Sequence, residues 1–166
     1  MEPLIQRGIF IDLQNLYSAG KSSGYQLDYQ SFRNYFLQSP AHYTRFTAFS
    51  SYDPQREDQH RFLMALARMG YRIVSKPLKR LPSGETKANM DMEMAMEILA
   101  VAPHLHEIVI VSGDGDFTAL VNYLIQQGKI VKGAGPDEYT AFELIQACHE
   151  FIPLSTIPGF LRKTDK

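Results

Sequence analysis

Glu107-Ile-Val-Ile-Val-Ser-Gly-Asp-Gly-Asp-Phe117 joins an unbroken β-branched run to a turn bearing two carboxylates. No polar residue interrupts Ile108 to Val111, so the strand they form is buried on both faces, as in a parallel sheet covered by helices. Outward from it lie further short apolar runs at Gly8 to Ile11, Phe46 to Ser51, Tyr71 to Ser75, Ile130 to Val131 and Phe151 to Leu154. Between these, Tyr29 to Leu37, Gln55 to Met69, Met90 to Ala102, Phe117 to Gln127 and Tyr139 to His149 are each long enough for a helix. The alternation predicts a three-layer α/β/α fold with a mainly parallel central sheet.

The chain has 166 residues, 45% of them apolar and 21% charged, within the range of ordinary folded proteins and outside that of disordered or fibrous ones. No repeat or glycine-serine linker divides it, so a single domain over residues 1–166 is expected. No apolar run reaches the ~20 residues of a membrane helix. The opening Met-Glu-Pro lacks the basic-then-apolar pattern of a secretory signal, which predicts a cytoplasmic protein with no membrane partner. Cys148 is the only cysteine, which excludes an intrachain disulfide and a cysteine-built zinc site and suggests a core thiol. Seventeen basic residues against eighteen acidic ones leave a net charge of −1, so contact with nucleic acid requires a local patch. The basic cluster is Lys76 to Lys87, which contains Lys76, Lys79, Arg80 and Lys87 among two prolines and a glycine and reads as an exposed loop.

In an open parallel sheet, ligands bind beyond the carboxyl ends of the strands. Asp12 ends the first strand, and Asp114 and Asp116 follow the strand Ile108 to Val111; if those strands are neighbours, the three carboxylates converge. Asp91, Ala95, Ile98 and Ala102 form one stripe at helical spacing, so Asp91 heads a row facing inward, while Glu93 and Glu97 fall on the opposite, solvated side. The alternating methionines at 90, 92, 94 and 96 read as helix packing. Clustered carboxylates raise one another's pKa, and a hard cation relieves the repulsion; oxygen ligands without cysteine suit Mg2+ or Mn2+ and hence metal-assisted phosphodiester chemistry. The alternative for each acid is structural, since aspartate after a strand often caps the next helix. Gly113 and Gly115 either supply positive φ in a tight turn or let the backbone approach a ligand.

Phe-Ile-Asp12-Leu-Gln-Asn15-Leu, Lys87 with Asp91, and Val-Ser112-Gly-Asp114-Gly-Asp116-Phe followed by Leu120 and Gly128 together resemble the NYN domain family, in its LabA-like (DUF88) branch, related to PIN nucleases. The match runs from about residue 8 to the strand near Phe151. The resemblance implies a PIN-like fold, a divalent metal (Mg2+ or Mn2+) held by Asp12, Asp91, Asp114 and Asp116, and ribonuclease activity on RNA. Gln14 stands where many relatives have glutamate, and Glu97 where a second aspartate often follows Asp91. Within this reading Asn15 fixes a carboxylate or a phosphate oxygen, and Ser112 hydrogen-bonds a metal ligand. Lys76, Lys79, Arg80 and Lys87 hold the RNA backbone, while Tyr17, Tyr25 and Tyr52 are better explained by packing than by stacking on bases. Some LabA-like relatives are regulators, so the competing class is a non-catalytic module that binds RNA or a protein partner.

Three other motifs point less far. The Gly-Asp-Gly-Asp turn also resembles haloacid dehalogenase-like phosphatases, but Gln14 occupies the place of their acidic proton donor. Gly133-Ala-Gly135 is a fragment of a dinucleotide fingerprint and reads as a turn. His104 and His106 read as solvated or capping residues.

Overall fold

A computed structural model describes residues 4–84, 86–87 and 89–164. In chain order the strands are β1 (Gln6–Asp12), β2 (Tyr25–Leu27), β3 (Tyr43–Tyr52), β4 (Arg72–Pro77), β5 (Lys79–Arg80), β6 (Thr86–Lys87), β7 (Glu107–Val111), β8 (Ile130–Gly135), β9 (Glu150–Pro153) and β10 (Leu161–Lys163). The helices are α1 (Leu13–Ser23), α2 (Tyr29–Leu37), α3 (Glu57–Met69), α4 (Asp91–Val101), α5 (Thr118–Gln126) and α6 (Phe142–Ala147). Six strands form the central sheet in the order β4-β3-β1-β7-β8-β9, and every neighbouring pair is parallel. From β1 the chain first builds outward through β3 and β4, then returns to the other side for β7, β8 and β9. The order therefore reverses between β1 and β7, the position at which such sheets open a crevice for ligand.

Alternation along the central strands separates two cores. Ile9, Ile11, Val109 and Val111 pack with Leu13 and Leu16 of α1, Phe32 and Phe36 of α2, and Leu63 and Leu66 of α3. Phe10, Ile108 and Ile110 face the other way, onto Met94 and Ile98 of α4, Val121 and Leu124 of α5, and Leu144 of α6. The expected three layers are thus α1–α3, the sheet, and α4–α6. At the amino ends of the strands, the buried Arg7 Nε donates to Glu107 Oε2 at 2.7 Å, across the register that pairs these residues, and Lys132 Nζ lies 2.7 Å from Glu107 Oε1. Burial works to raise the Glu107 pKa, but hydrogen bonds from Lys132 and Arg7 outweigh it and hold the carboxyl below its ordinary value.

Several sequence expectations need correction. The polar stretch after Asp12 forms α1, with Tyr17 on it; Asp12 Oδ1 caps the helix by accepting from Asn15 N at 3.2 Å, and Leu13, Leu16 and Gly20 make its buried face. The segment read as a basic loop begins in β4 with Lys76 and continues into an antiparallel ribbon, in which Lys79 pairs with Lys87 and Arg80 with Thr86. Gly133 and Gly135 belong to β8 and not to a turn: a Cβ on Gly133 would lie 2.9 Å from Cys148 Sγ. Glu93 and Glu97 do not face solvent alone, because α4 lies beside β4 and they pair with Lys76 and Arg72. The buried residues of that helix include Met94 and Ile98, whereas Ala95 is only half-buried. Cys148 is half-buried against the second core, and burial pushes its thiol up to about 11. His106 Nδ1 accepts from Gln6 N at 3.0 Å, an end-of-strand role.

Candidate metal centre

Asp12 and Ser112 leave adjacent parallel strands at the point where strand order reverses, and their side chains meet. Ser112 Oγ donates to Asp12 Oδ2 at 3.0 Å and accepts from Asp114 N at 3.1 Å. Asn15, one turn into α1, accepts from Gly113 N at 2.9 Å through its Oδ1. Asp114 in turn caps the short 3-10 turn Gly115–Phe117, its Oδ1 accepting from Asp116 N at 2.9 Å. These bonds knit the end of β1 to the end of β7 across about a hundred residues of chain, so Asn15 and Ser112 support the acids through hydrogen bonds. The capping roles and the clustering of the acids thus coexist.

Carboxylate oxygens of Asp91, Asp114 and Asp116 all lie within 4.8 Å of one another. Asp91 arrives from the opposite direction, at the first turn of α4, with its amide held by Asn89 Oδ1 at 2.6 Å. Asn89 escaped the sequence reading, although an asparagine two residues before a helix start is a recognisable turn signal. Asp12 stands behind this trio, buried, with both oxygens already accepting hydrogen bonds. Burial raises the Asp12 pKa against the lowering effect of Asn15 N–H and the Ser112 hydroxyl, and the charge of Asp114 adds to the rise. Asp91 is pushed up to about 7, first by burial, then by a hydrogen bond shared with Asp114 and by the charges of Asp12 and Asp114, with Asn89 opposing.

Asp91 Oδ2 is itself buried and has no hydrogen-bond partner among the described residues. A buried carboxylate oxygen without a donor, beside two more carboxylates, is a poor arrangement for a protein on its own and a good one for a hard cation. The donor set is all oxygen and fits Mg2+ or Mn2+.

The turn glycines serve packing. Neither Gly113 nor Gly115 has positive φ. A Cβ on Gly113 would lie 2.7 Å from Tyr139 O, and one on Gly115 would lie 2.9 Å from Ala141 Cβ. Their bare backbones let residues 139–141 close over the acidic turn, where Ala141 N donates to Gly113 O at 2.9 Å.

Of the basic residues singled out, Lys76 is ion-paired with Glu93, while Lys79 and Arg80 are exposed on β5; Lys87 is located by its strand position on β6.

The sequence profile of the NYN domain family matches residues 7–155. The chain belongs to the NYN domain family. Low amplitude and bright protein LabA of Synechococcus elongatus is 30% identical over 170 residues, a match covering 95% of this chain and 88% of that protein. A crystal structure of a protein of unknown function from Vibrio parahaemolyticus superposes with a TM-score of 0.84 over 98% of this chain and 100% of its own, at 24% identity, a likeness of fold. The residues that this NYN domain gathers at its strand reversal all lie within the matched span. No helix among the described residues is long and apolar enough to cross a membrane.

Proposed function

We propose that this NYN domain is a cytoplasmic, divalent-metal-dependent ribonuclease that hydrolyses RNA phosphodiester bonds at the carboxyl edge of its sheet. The observation that supports this most is the convergence of Asp91, Asp114 and Asp116 around a buried Asp91 oxygen that no donor satisfies. Asp91, Asp114 and Asp116 would hold the ion, and Asp12 adds negative charge behind them. Bound Mg2+ or Mn2+ supplies an acidified water and neutralises charge at phosphate. Ser112 and Asn15 fix the directions of Asp12 and of the Gly113–Asp114 backbone, so the acids are oriented before substrate arrives. Lys79 and Arg80, with Lys87 opposite on the ribbon, offer cations to the RNA backbone, and Lys76 contributes there as part of its pair with Glu93.

The test is Mn2+-dependent cleavage of a labelled mixed-sequence RNA by the purified chain, with Asp114→Asn and EDTA as controls. Loss of at least about a hundredfold in rate with the substitution, and complete loss with EDTA, is the expected result. Cleavage indifferent to Asp114→Asn would overturn the assignment, and absence of cleavage on every RNA would leave a module that binds RNA or a protein partner.

A further inference from the structure

A groove of about 250 Å3 runs between α1 and α3 and is lined at one end by Leu13 and Gln14, the two residues that follow Asp12 in the chain. Gln14 and Tyr17 of α1 form one wall, immediately downstream of Asp12; Arg56, Gln59 and Phe62 form the other, and Ser51 of β3 lies at its base. Tyr17 is 60% exposed and its ring is not spent on the core; Phe62 is 43% exposed, with its ring set edge-to-face against core Tyr29, centroids 5.8 Å apart, and the remainder open to the groove. Gln59 Oε1 accepts from Asp53 N at 2.8 Å, which fixes the carboxamide and leaves its amino group as a donor. Arg56 is exposed at the rim, where it forks onto Asp58.

One open aromatic face at Tyr17, a second ring partly open at Phe62, an oriented amide, a second amide at Gln14 and, at the mouth, an Arg56 guanidinium that a phosphate would share with Asp58 match the parts of one nucleotide: a flat ring, its polar edge and its phosphate. The volume falls below the roughly 300–1,000 Å3 of sites for drug-sized ligands, and so fits one planar ring. We infer that this groove is a nucleobase subsite, taking one unpaired base of a single-stranded RNA whose backbone passes the acids. The inference rests on the ribonuclease reading for its substrate and specifies where a neighbouring base sits. Tyr17 is then a binding residue; Tyr52, which packs against the first core, is not.

The experiment measures binding of a fluorescein-labelled single-stranded RNA and of its matched duplex, in an Asp114→Asn background that prevents cleavage during the titration. Adding Tyr17→Ala should weaken single-strand binding by about five- to a hundredfold, Phe62→Ala should act in the same direction, and Tyr17→Phe should restore binding. The duplex should bind more weakly and respond little to Tyr17→Ala. Tyr43→Ala, an exposed tyrosine at the opposite end of β3, is the control and should change nothing. Equal affinity for Tyr17→Ala and its parent, or an equal loss with Tyr43→Ala, would overturn the subsite. Cleavage by the unsubstituted chain is scored separately. Tyr17-dependent binding without any cleavage would keep the groove and remove the nuclease reading, whereas cleavage with Tyr17-independent binding would do the reverse.

Discussion

Replacing Asp91 by asparagine should stabilise the metal-free protein at neutral and alkaline pH. The Asp91 carboxyl has an ordinary value of 3.8 and is pushed up to about 7 in the folded chain. Between those values the unfolded chain releases a proton that the native state keeps, so stability is fully present below pH ~4 and falls as pH rises through ~7. For a completely shielded group this span would amount to ~4 kcal/mol. Asp91 is partly open to solvent, and screening reduces the effect to about 1–2 kcal/mol. Asparagine keeps the shape, cannot ionise, and gives the buried position a donor for Asp114. Urea titrations in EDTA at pH 5 and pH 8 read the difference directly: the variant should exceed the parent by about 1–2 kcal/mol at pH 8, and the gap should narrow at pH 5. With Mn2+ at a hundred times its dissociation constant, the parent should gain about 2.7 kcal/mol, and the variant much less. Equal pH dependence of the two proteins in EDTA, together with equal stabilisation by Mn2+, would refute the electrostatic account.

Gly113→Ala should cost about 1–3 kcal/mol in a urea titration, because the added methyl meets Tyr139 O at 2.7 Å; the backbone there has ordinary φ, so the loss is steric. Arg7→Ala should cost about 3–5 kcal/mol by the same assay, since it leaves Glu107 buried with only Lys132 opposite. Because Glu107 is held below its ordinary 4.5, its contribution to stability is present above that value and is lost as pH falls; Glu107→Gln should therefore flatten the acid side of the stability curve measured by thermal unfolding.

The sheet was legible because its central strands are covered on both sides: Ile108 to Val111 has no polar member, and Gly8 to Ile11 is nearly as plain. Helix α2 matched its sequence boundaries, with Asp28 Oδ1 capping Gln30 N and Ser31 N. Helix α1 was hidden because Ser18, Gly20, Ser22 and Ser23 are poor helix formers, and what holds it is tertiary: a cap from Asp12 and three residues buried under the sheet. The ribbon β5–β6 is too short for an alternating pattern to register. At the candidate site, the polar residues were legible from their position after strands. Their hydrogen bonds were not: that Asn15 N holds one oxygen of Asp12 and the Ser112 hydroxyl the other is set by the fold, and hydrogen-bond direction leaves no trace in spacing. Glu93 and Glu97 were misplaced for a related reason, since a helical wheel reports the helix's own faces and knows nothing of the basic strand edge alongside.

That edge gives α4 an unusual mechanical position. Along its length the helix is drawn toward β4 by the pairs Glu93–Lys76 and Glu97–Arg72, while at its first turn Asp91 is pressed against Asp114 and Asp116. Below pH ~7 in the metal-free chain, the proton that Asp91 keeps makes its meeting with Asp114 a shared hydrogen bond, so the helix is held at its tip as well as along its flank. A cation taken up at the proposed site would have to displace that proton, so its hold on the tip of α4 should weaken as pH falls below ~7.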